Sequence, residues 1–144
     1  MLLFTLSLLA GCDLSAPPNT ANAQPMQLRR FASEEAACMA GGTFGAAQSL
    51  AVCEAAAARL GDEAADPTAI RSALVFYHFC LQAAPDDAAW CGGYRDSDGL
   101  RAAMWIKREC GEDSFCKLRM QEERKRCQPE AAGKGGIKNL PVCG

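Results

Sequence analysis

The sequence predicts an all-α protein, a small disulfide-stapled bundle or array of short helices that follows a disordered tether. The 144 residues suffice for a single domain. Alanine, the best helix former, occurs 27 times, whereas valine and isoleucine, which favour strands, together occur six times. Nine cysteines indicate an oxidising compartment. The net charge of −2 excludes a globally basic nucleic-acid-binding protein.

The N-terminal segment is predicted to be a targeting signal. Residues 1–11 are uncharged and mainly apolar, a run too short to cross a bilayer, which takes about 20 residues. The following motif, Leu9-Ala10-Gly11-Cys12, resembles the lipobox of bacterial lipoproteins. The resemblance implies cleavage before Cys12, lipidation of that cysteine, and a location in the bacterial cell envelope, facing the periplasm. The alternative is a buried apolar helix that ends in Gly-Cys.

The next segment has the composition of a disordered tether. Residues 12–30 are rich in Ser, Ala, Pro, Asn, Thr and Gln, as expected between a lipid anchor and a folded domain. The chain therefore divides into a signal peptide (1–11), a tether (12–30) and a helical domain (31–144). Asp13 resembles the inner-membrane retention signal of enteric lipoproteins, which favours the inner membrane and leaves the outer membrane open.

The first two helices of the domain are predicted from caps and glycines. Ser33 is a typical N-cap with acidic residues behind it, and Gly41-Gly42 is expected to end that short helix. A second helix is expected over residues 45–60, with Gly61 as the first residue after it.

The third helix is predicted most sharply. Asp66-Pro67 combines an N-cap with a proline at the first helical position, and Pro85 ends the helix near Ala84. Its wide apolar stripe predicts a position at the centre of the bundle. The stripe comprises Ile70, Leu74, Tyr77 and Leu81, widened by Val75, Phe76 and Phe79.

Two further helices follow a short turn at residues 86–91. Gly92-Gly93 is expected to end any helical structure in that turn. Ser97 or Asp98 starts a helix to Cys110, with Gly111 behind it. Asp113 or Ser114 caps the last helix, residues 115–127, and the remaining tail lacks periodicity. In the first of these helices we expect the inward side chains to be Leu100, Met104 and, as a third candidate, Trp105.

Eight cysteines remain once Cys12 is assigned to the lipid, an even number that can all pair. They are Cys38, Cys53, Cys80, Cys91, Cys110, Cys116, Cys127 and Cys143. Because nearly all fall at predicted helix ends, pairing across each turn is favoured: Cys38–Cys53, Cys80–Cys91, Cys110–Cys116 and Cys127–Cys143. The best alternative joins Cys53 to Cys80 across an antiparallel helical hairpin.

Two segments share a further pattern. Residues 73–80 and 103–110 each end a helix in a cysteine, and Cys91 and Cys116 follow after a short turn. This arrangement is similar to the disulfide-stapled Sel1-like helical repeats of secreted bacterial proteins, over less than half of the chain. The resemblance implies an architecture and carries no function by itself.

Catalytic and cofactor motifs are absent from the sequence. No Cys-x-x-Cys, P-loop or dinucleotide-binding pattern occurs, and we expect no cofactor, metal, nucleic acid or small-molecule substrate. His78, the single histidine, has no neighbour in sequence with which it would act as a base. The acidic pairs Asp86-Asp87 and Asp96/Asp98 suit helix caps better than a cation site.

Charge is unevenly distributed along the domain. Residues 31–100 carry a net charge of −7 and residues 101–144 a net charge of +4. The last helix is therefore a candidate contact for an anionic lipid, a cell-wall polymer or an acidic partner. The alternative is that Glu122 and Glu123 pair with the basic residues at helical spacing. Those basic residues are Lys117, Arg119, Arg124, Lys125 and Arg126.

These features favour a non-enzymatic, lipid-anchored envelope protein that acts by binding or scaffolding. Its expected partners are the membrane, through the lipid on Cys12, and a protein of the envelope. It would serve as an accessory of a secretion, conjugation or envelope system, or as an inhibitor or exclusion factor. The alternative is a small periplasmic redox protein or enzyme that uses a cysteine pair or the acidic turns.

Overall fold

The computed structural model describes residues 31–95, 98–130 and 135–143, and within these ranges it contains helices and no strands. The predicted signal peptide, Cys12 and the tether lie outside the described residues. No helix of the described part is long and apolar enough to cross a membrane. The all-α class is confirmed. The helices are α1 (Glu34–Ala47), α2 (Leu50–Glu63), α3 (Pro67–Ala83), α4 (Gly92–Arg95), α5 (Gly99–Cys110) and α6 (Ser114–Cys127).

Each of the five longer helices begins at a side-chain cap. In every case a hydroxyl or carboxylate oxygen accepts a hydrogen bond from the backbone N–H three residues later, which satisfies one of the unpaired donors of the first turn. Four of these caps were predicted, and Ser49 of α2 was not. The caps are Ser33, Ser49, Asp66, Asp98 and Asp113.

Helix α3 lies at the centre of the bundle, as predicted. It packs against α1, α2 and α6. Its side chains are buried over most of the circumference, because neighbours cover it on three sides. The buried apolar residues of α3 are Ala73, Leu74, Val75, Phe76, Tyr77, Cys80 and Leu81.

Helix α1 does not end at Gly41-Gly42, and that prediction was wrong. The helix continues to Ala47 because the glycines serve a packing contact rather than a turn. A Cβ atom on Gly41 would overlap the carbonyl oxygen of Phe76, and one on Gly45 would overlap that of Cys80. The absence of side chains at these two positions lets the backbones of α1 and α3 approach closely.

The predicted limits of α2 were also wrong. The helix begins at Leu50 instead of Gly45 and runs through Gly61 to Glu63. Gly61 lies inside the helix against the ring of Phe115, where a Cβ atom would collide with the ring edge. This glycine again marks a close contact rather than a helix end.

Helices α4 and α5 bring two further corrections. Gly92-Gly93 lies within the short helix α4 instead of breaking the chain. Leu100 and Met104 of α5 point to solvent, with 72% and 64% of their surface exposed. The buried row of α5 is Ala102, Ile106 and Cys110, whose spacing of four residues matches its contact with α6.

Among the described residues, one disulfide joins two helix faces, one joins adjacent helix ends, and two join a helix to a non-helical residue. Cys110–Cys116 is paired as predicted, and Cys53–Cys80 is the predicted alternative, with Cα atoms 5.4 and 5.8 Å apart. The predicted pairs Cys38–Cys53, Cys80–Cys91 and Cys127–Cys143 were wrong. Those pairings followed the order of the sequence, whereas Cys91 and Cys143 lie outside the helices and meet cysteines that are distant in sequence. The remaining pairs are Cys38–Cys143 and Cys91–Cys127.

The C-terminal segment, residues 135–143, crosses the bundle without forming a helix, as predicted. Ile137 is buried, and its N–H donates to a carboxylate oxygen of Glu122 at 2.8 Å. The Arg71 guanidinium donates to the carbonyl oxygen of Asn139 at 2.7 Å. With Cys143 bonded to Cys38, the segment connects α6 to α3 and α1.

Candidate functional site

The two tyrosines and two tryptophans of the chain all lie around one carboxylate, Glu123 of α6. The hydroxyls of Tyr77 and Tyr94 donate to its two oxygens, at 2.7 and 2.5 Å. Trp90 and Trp105 line the cleft beside them. Helices α3, α4 and α6 position these hydroxyls and the carboxylate, and the Cys91–Cys127 disulfide joins the chain just before α4 to the end of α6.

This cleft, which we call the Glu123 cleft, has a volume of about 490 Å³. The polar side chains that line it are fixed by hydrogen bonds and ion pairs with neighbouring side chains. Glu54 of α2 accepts a hydrogen bond from the Trp90 indole N–H at 2.8 Å and lies 3.8 Å from the Arg119 guanidinium. The rings of Tyr94 and Trp105 contact each other with centroids 4.8 Å apart. A cleft of this size with fixed aromatic and charged walls is suited to holding a side chain or small ligand.

Burial dominates the electrostatics around Glu123. Burial raises the pKa of the Glu123 carboxyl, and the hydrogen bonds from Tyr94 and Tyr77, together with the charge of Arg119, only partly offset it. The pKa values of both tyrosine hydroxyls are raised, first by burial and then by the charge of Glu123. Both tyrosines therefore remain protonated donors.

The adjacent carboxylate, Glu122, has a different environment. Burial alone would raise the pKa of Glu122, but hydrogen bonds from His78 and the Ile137 N–H, with the charges of His78 and Lys125, outweigh it and hold that pKa below its ordinary value. The Nδ1 atom of His78 lies 2.6 Å from Glu122 Oε2, and Lys125 Nζ lies 3.2 Å from Oε1. Glu122 thus supplies the partner that His78 lacks in sequence, from a position 44 residues away.

The five basic residues of α6 do not share one face of the helix, because at 100° per residue their positions spread around its axis. Arg119 faces Glu54, and Lys125 pairs with Glu122. Arg126 donates to the carbonyl oxygens of Leu81 and Ala84 and lies 2.6 Å from Asp86. The remaining two, Lys117 and Arg124, border a groove between α5 and α6.

The alternative from the sequence was that Glu122 and Glu123 both pair with basic residues of α6. The structure confirms this for Glu122 only. Glu122 pairs with Lys125, whereas Glu123 is bound by the two tyrosine hydroxyls.

Of the acidic turn residues that the structure describes, Asp87 and Asp98 act as caps, whereas Asp86 pairs with Arg126. Asp87 accepts from the Trp90 backbone N–H at 3.0 Å, and Asp98 caps α5. Asp96 and Ser97 lie outside the described residues. Among the residues that are described, no group of three His, Cys, Asp or Glu side chains is placed to hold a metal ion.

Sequence reasoning missed the Glu123 cleft because its walls come from α2, α4, α5 and α6. Two local signals pointed towards it. Glu122 and Glu123 interrupt an otherwise basic stretch, and tyrosine and tryptophan are scarce in the chain. Neither signal shows which residues meet in space.

Comparison of the chain with protein-family models, with curated proteins and with solved structures finds no match.

Proposed function

We propose that this chain is a lipid-anchored binding protein of the bacterial cell envelope, and that the Glu123 cleft holds its partner. The observation that carries the binding role is the convergence of both tryptophans and Tyr94 on a single cleft with fixed polar walls. Tyrosine and tryptophan offer large contact areas and lose little conformational entropy on binding, so binding sites are enriched in them. Such a protein would serve as an accessory of a secretion, conjugation or envelope system.

The anchor is supported by the lipobox-like motif ending at Cys12 and by the tether-like composition of residues 12–30. The test is Cys12→Ser in cells supplied with a labelled fatty acid. We expect the parent protein to carry the label and to fractionate with membranes, and the variant to lose both properties. Labelling retained by the variant would contradict the anchor.

The cleft is tested by photo-crosslinking in cells. A photoreactive amino acid in place of Glu109, an exposed residue at the cleft, should yield a discrete adduct with the envelope partner. The matched control places the same group at Met39, which is exposed on α1. Identical adducts from both positions, or no adduct from residue 109, would contradict binding in the cleft.

A second candidate, a redox role, is favoured by one observation. Cys116 lines the Glu123 cleft, so the Cys110–Cys116 disulfide borders the place where a partner would bind. Equilibration with glutathione buffers followed by thiol quantification separates the two functions. A reduction potential below about −300 mV would mark a structural bond, whereas one near −180 mV, the range of disulfide isomerases, would support redox activity.

A further inference from the structure

Helix α5 carries an amphipathic stripe on its outer surface. Leu100, Ala103, Met104 and Lys107 follow the i, i+3, i+4, i+7 spacing of one helical face, and all four are exposed. In a water-soluble helix this spacing normally marks the face that packs on the core. Here the core face is the separate row that ends at Cys110, so the apolar stripe has no covering element within the described part of the chain.

Positive charge borders this stripe. The groove between α5 and α6 has a volume of about 440 Å³, and Lys107, Lys117 and Arg124 contribute its basic side chains. Four large apolar residues are exposed among those described, and two of them, Leu100 and Met104, lie one helical turn apart on α5, next in sequence to or one turn from the groove residues Ala103 and Lys107. The other two are Met39 and Val142.

We propose that this α5–α6 face contacts the surface of an anionic phospholipid membrane. Leu100 and Met104 would enter the boundary between headgroups and acyl chains, while Lys107, Lys117 and Arg124 remain at the phosphates. This surface is distinct from the Glu123 cleft, and its contact with lipid does not require the lipid on Cys12.

Charge complementarity identifies the membrane as the occupant. The basic part of the domain, residues 101–144, includes all of the face except Leu100, and the acidic residues of 31–100 would be repelled by anionic headgroups. The exposed side chains of Leu100 and Met104 favour a partner with an apolar interior, which a membrane has and a hydrophilic anionic polymer lacks. Residues 12–30, at most about 65 Å long when extended, would leave an anchored domain free to turn this face to the bilayer.

A carboxylate beside Lys117 opposes the contact. Glu112 is fully exposed and lies 3.8 Å from the Lys117 ammonium group, at the edge of the face. Neutralising this carboxylate should therefore strengthen binding to anionic vesicles, whereas neutralising the lysines should weaken it.

The test uses residues 12–144 with Cys12→Ser, which carry neither signal peptide nor lipid. Co-sedimentation is measured with vesicles of phosphatidylcholine alone and of equal parts phosphatidylcholine and phosphatidylglycerol. We expect binding to the mixed vesicles that weakens with salt, a loss of about fivefold for each of K107Q and K117Q, and a gain for E112Q. Absence of binding, or equal binding to both vesicle types, would overturn the proposal.

The apolar contribution has its own variant and control. Leu100→Gln combined with Met104→Gln should reduce binding to mixed vesicles about tenfold, because two apolar side chains no longer leave water. Met39→Gln, at a similarly exposed methionine on α1, should leave binding unchanged, and the thermal midpoints should stay close to that of the parent. Binding that depends on the lysines and not on Leu100 and Met104 would overturn the entry of these two side chains into the bilayer, and with it the reason for preferring a membrane over a soluble anionic partner.

Discussion

At the scale of single residues, two neighbouring glutamates show how environment separates identical side chains. Glu122 and Glu123 are both buried on α6. The donors around Glu122 stabilise its charged form more than burial destabilises it, whereas at Glu123 the effect of burial exceeds that of the tyrosine hydroxyls. Their pKa values shift in opposite directions as a result, Glu122 below and Glu123 above the ordinary value of 4.5.

The opposite shifts lead to opposite pH dependences of stability. Because the folded state holds the Glu123 proton more tightly than the unfolded state, the stability that Glu123 contributes is greatest below pH 4.5 and falls as pH rises towards its raised pKa. Relative to the parent, Glu123→Gln should therefore gain stability as pH rises above 4.5. Urea unfolding at a series of pH values measures this difference.

Glu122→Gln is the matched variant with the opposite expected trend. The lowered pKa of Glu122 means that its contribution is present above pH 4.5 and is lost as pH falls through the folded-state pKa. Relative to the parent, this variant should thus lose stability as pH rises towards 4.5 and recover on acidification. Parallel trends for the two variants would contradict the opposed environments.

At the scale of helices, the contact between α1 and α3 depends on small residues one turn apart. Ala37, Gly41 and Gly45 form a buried row, and the two glycines touch the backbone of α3. Glycine within a helix costs roughly 0.5–1 kcal/mol relative to alanine, so its presence there is explained by the close approach.

Alanine substitutions along α1 should therefore have opposite signs. Gly41→Ala should destabilise the domain by roughly 1–3 kcal/mol, because the new methyl group overlaps the Phe76 carbonyl oxygen. Gly42→Ala, at the next position with open space around it, should stabilise by roughly 0.5–1 kcal/mol. Chemical denaturation of both variants measures the two effects, and stabilisation by Gly41→Ala would rule out the packing explanation.

The sequence allowed helix starts to be predicted better than helix ends. A cap such as Asp66 or Asp113 is a local interaction between a side chain and the backbone three residues later, so its signal is complete in the sequence. Gly41 and Gly61 were interpreted as helix ends because the sequence does not distinguish a glycine that allows close packing from a glycine that forms a turn. The exposed Leu100 and Met104 were placed inside because periodicity identifies a face without showing which surface covers it.

At the scale of the whole molecule, disulfides connect parts of the chain that are far apart in sequence. Cys38–Cys143 spans 105 residues, whereas Cys110–Cys116 spans six. The pairs Cys38–Cys143 and Cys91–Cys127 were not predicted, because turn spacing shows which cysteines are near in sequence and not which parts of the chain meet. The same limit applies to the Glu123 cleft, whose walls come from four helices.

Removing the two disulfides should cost unequal stability. On the loop-entropy model, a bond that closes a loop of roughly 100 residues contributes about 4.7 kcal/mol, and one that closes a loop of six contributes about 2 kcal/mol. Cys38→Ala with Cys143→Ala should therefore destabilise the domain about twice as much as Cys110→Ala with Cys116→Ala. Urea unfolding of the two double variants provides the comparison, and equal losses would be inconsistent with this assignment.

The Cys38–Cys143 bond also bears on how the protein would mature during export. In a chain that crosses a membrane N-terminus first, Cys38 and Cys53 emerge long before Cys143, so an oxidase that joins cysteines in order of appearance would produce a pair absent from the native fold. Native pairing would then require thiol–disulfide exchange after translocation is complete. If the chain is exported as proposed, maturation of this domain should accordingly depend on a disulfide isomerase as well as on an oxidase.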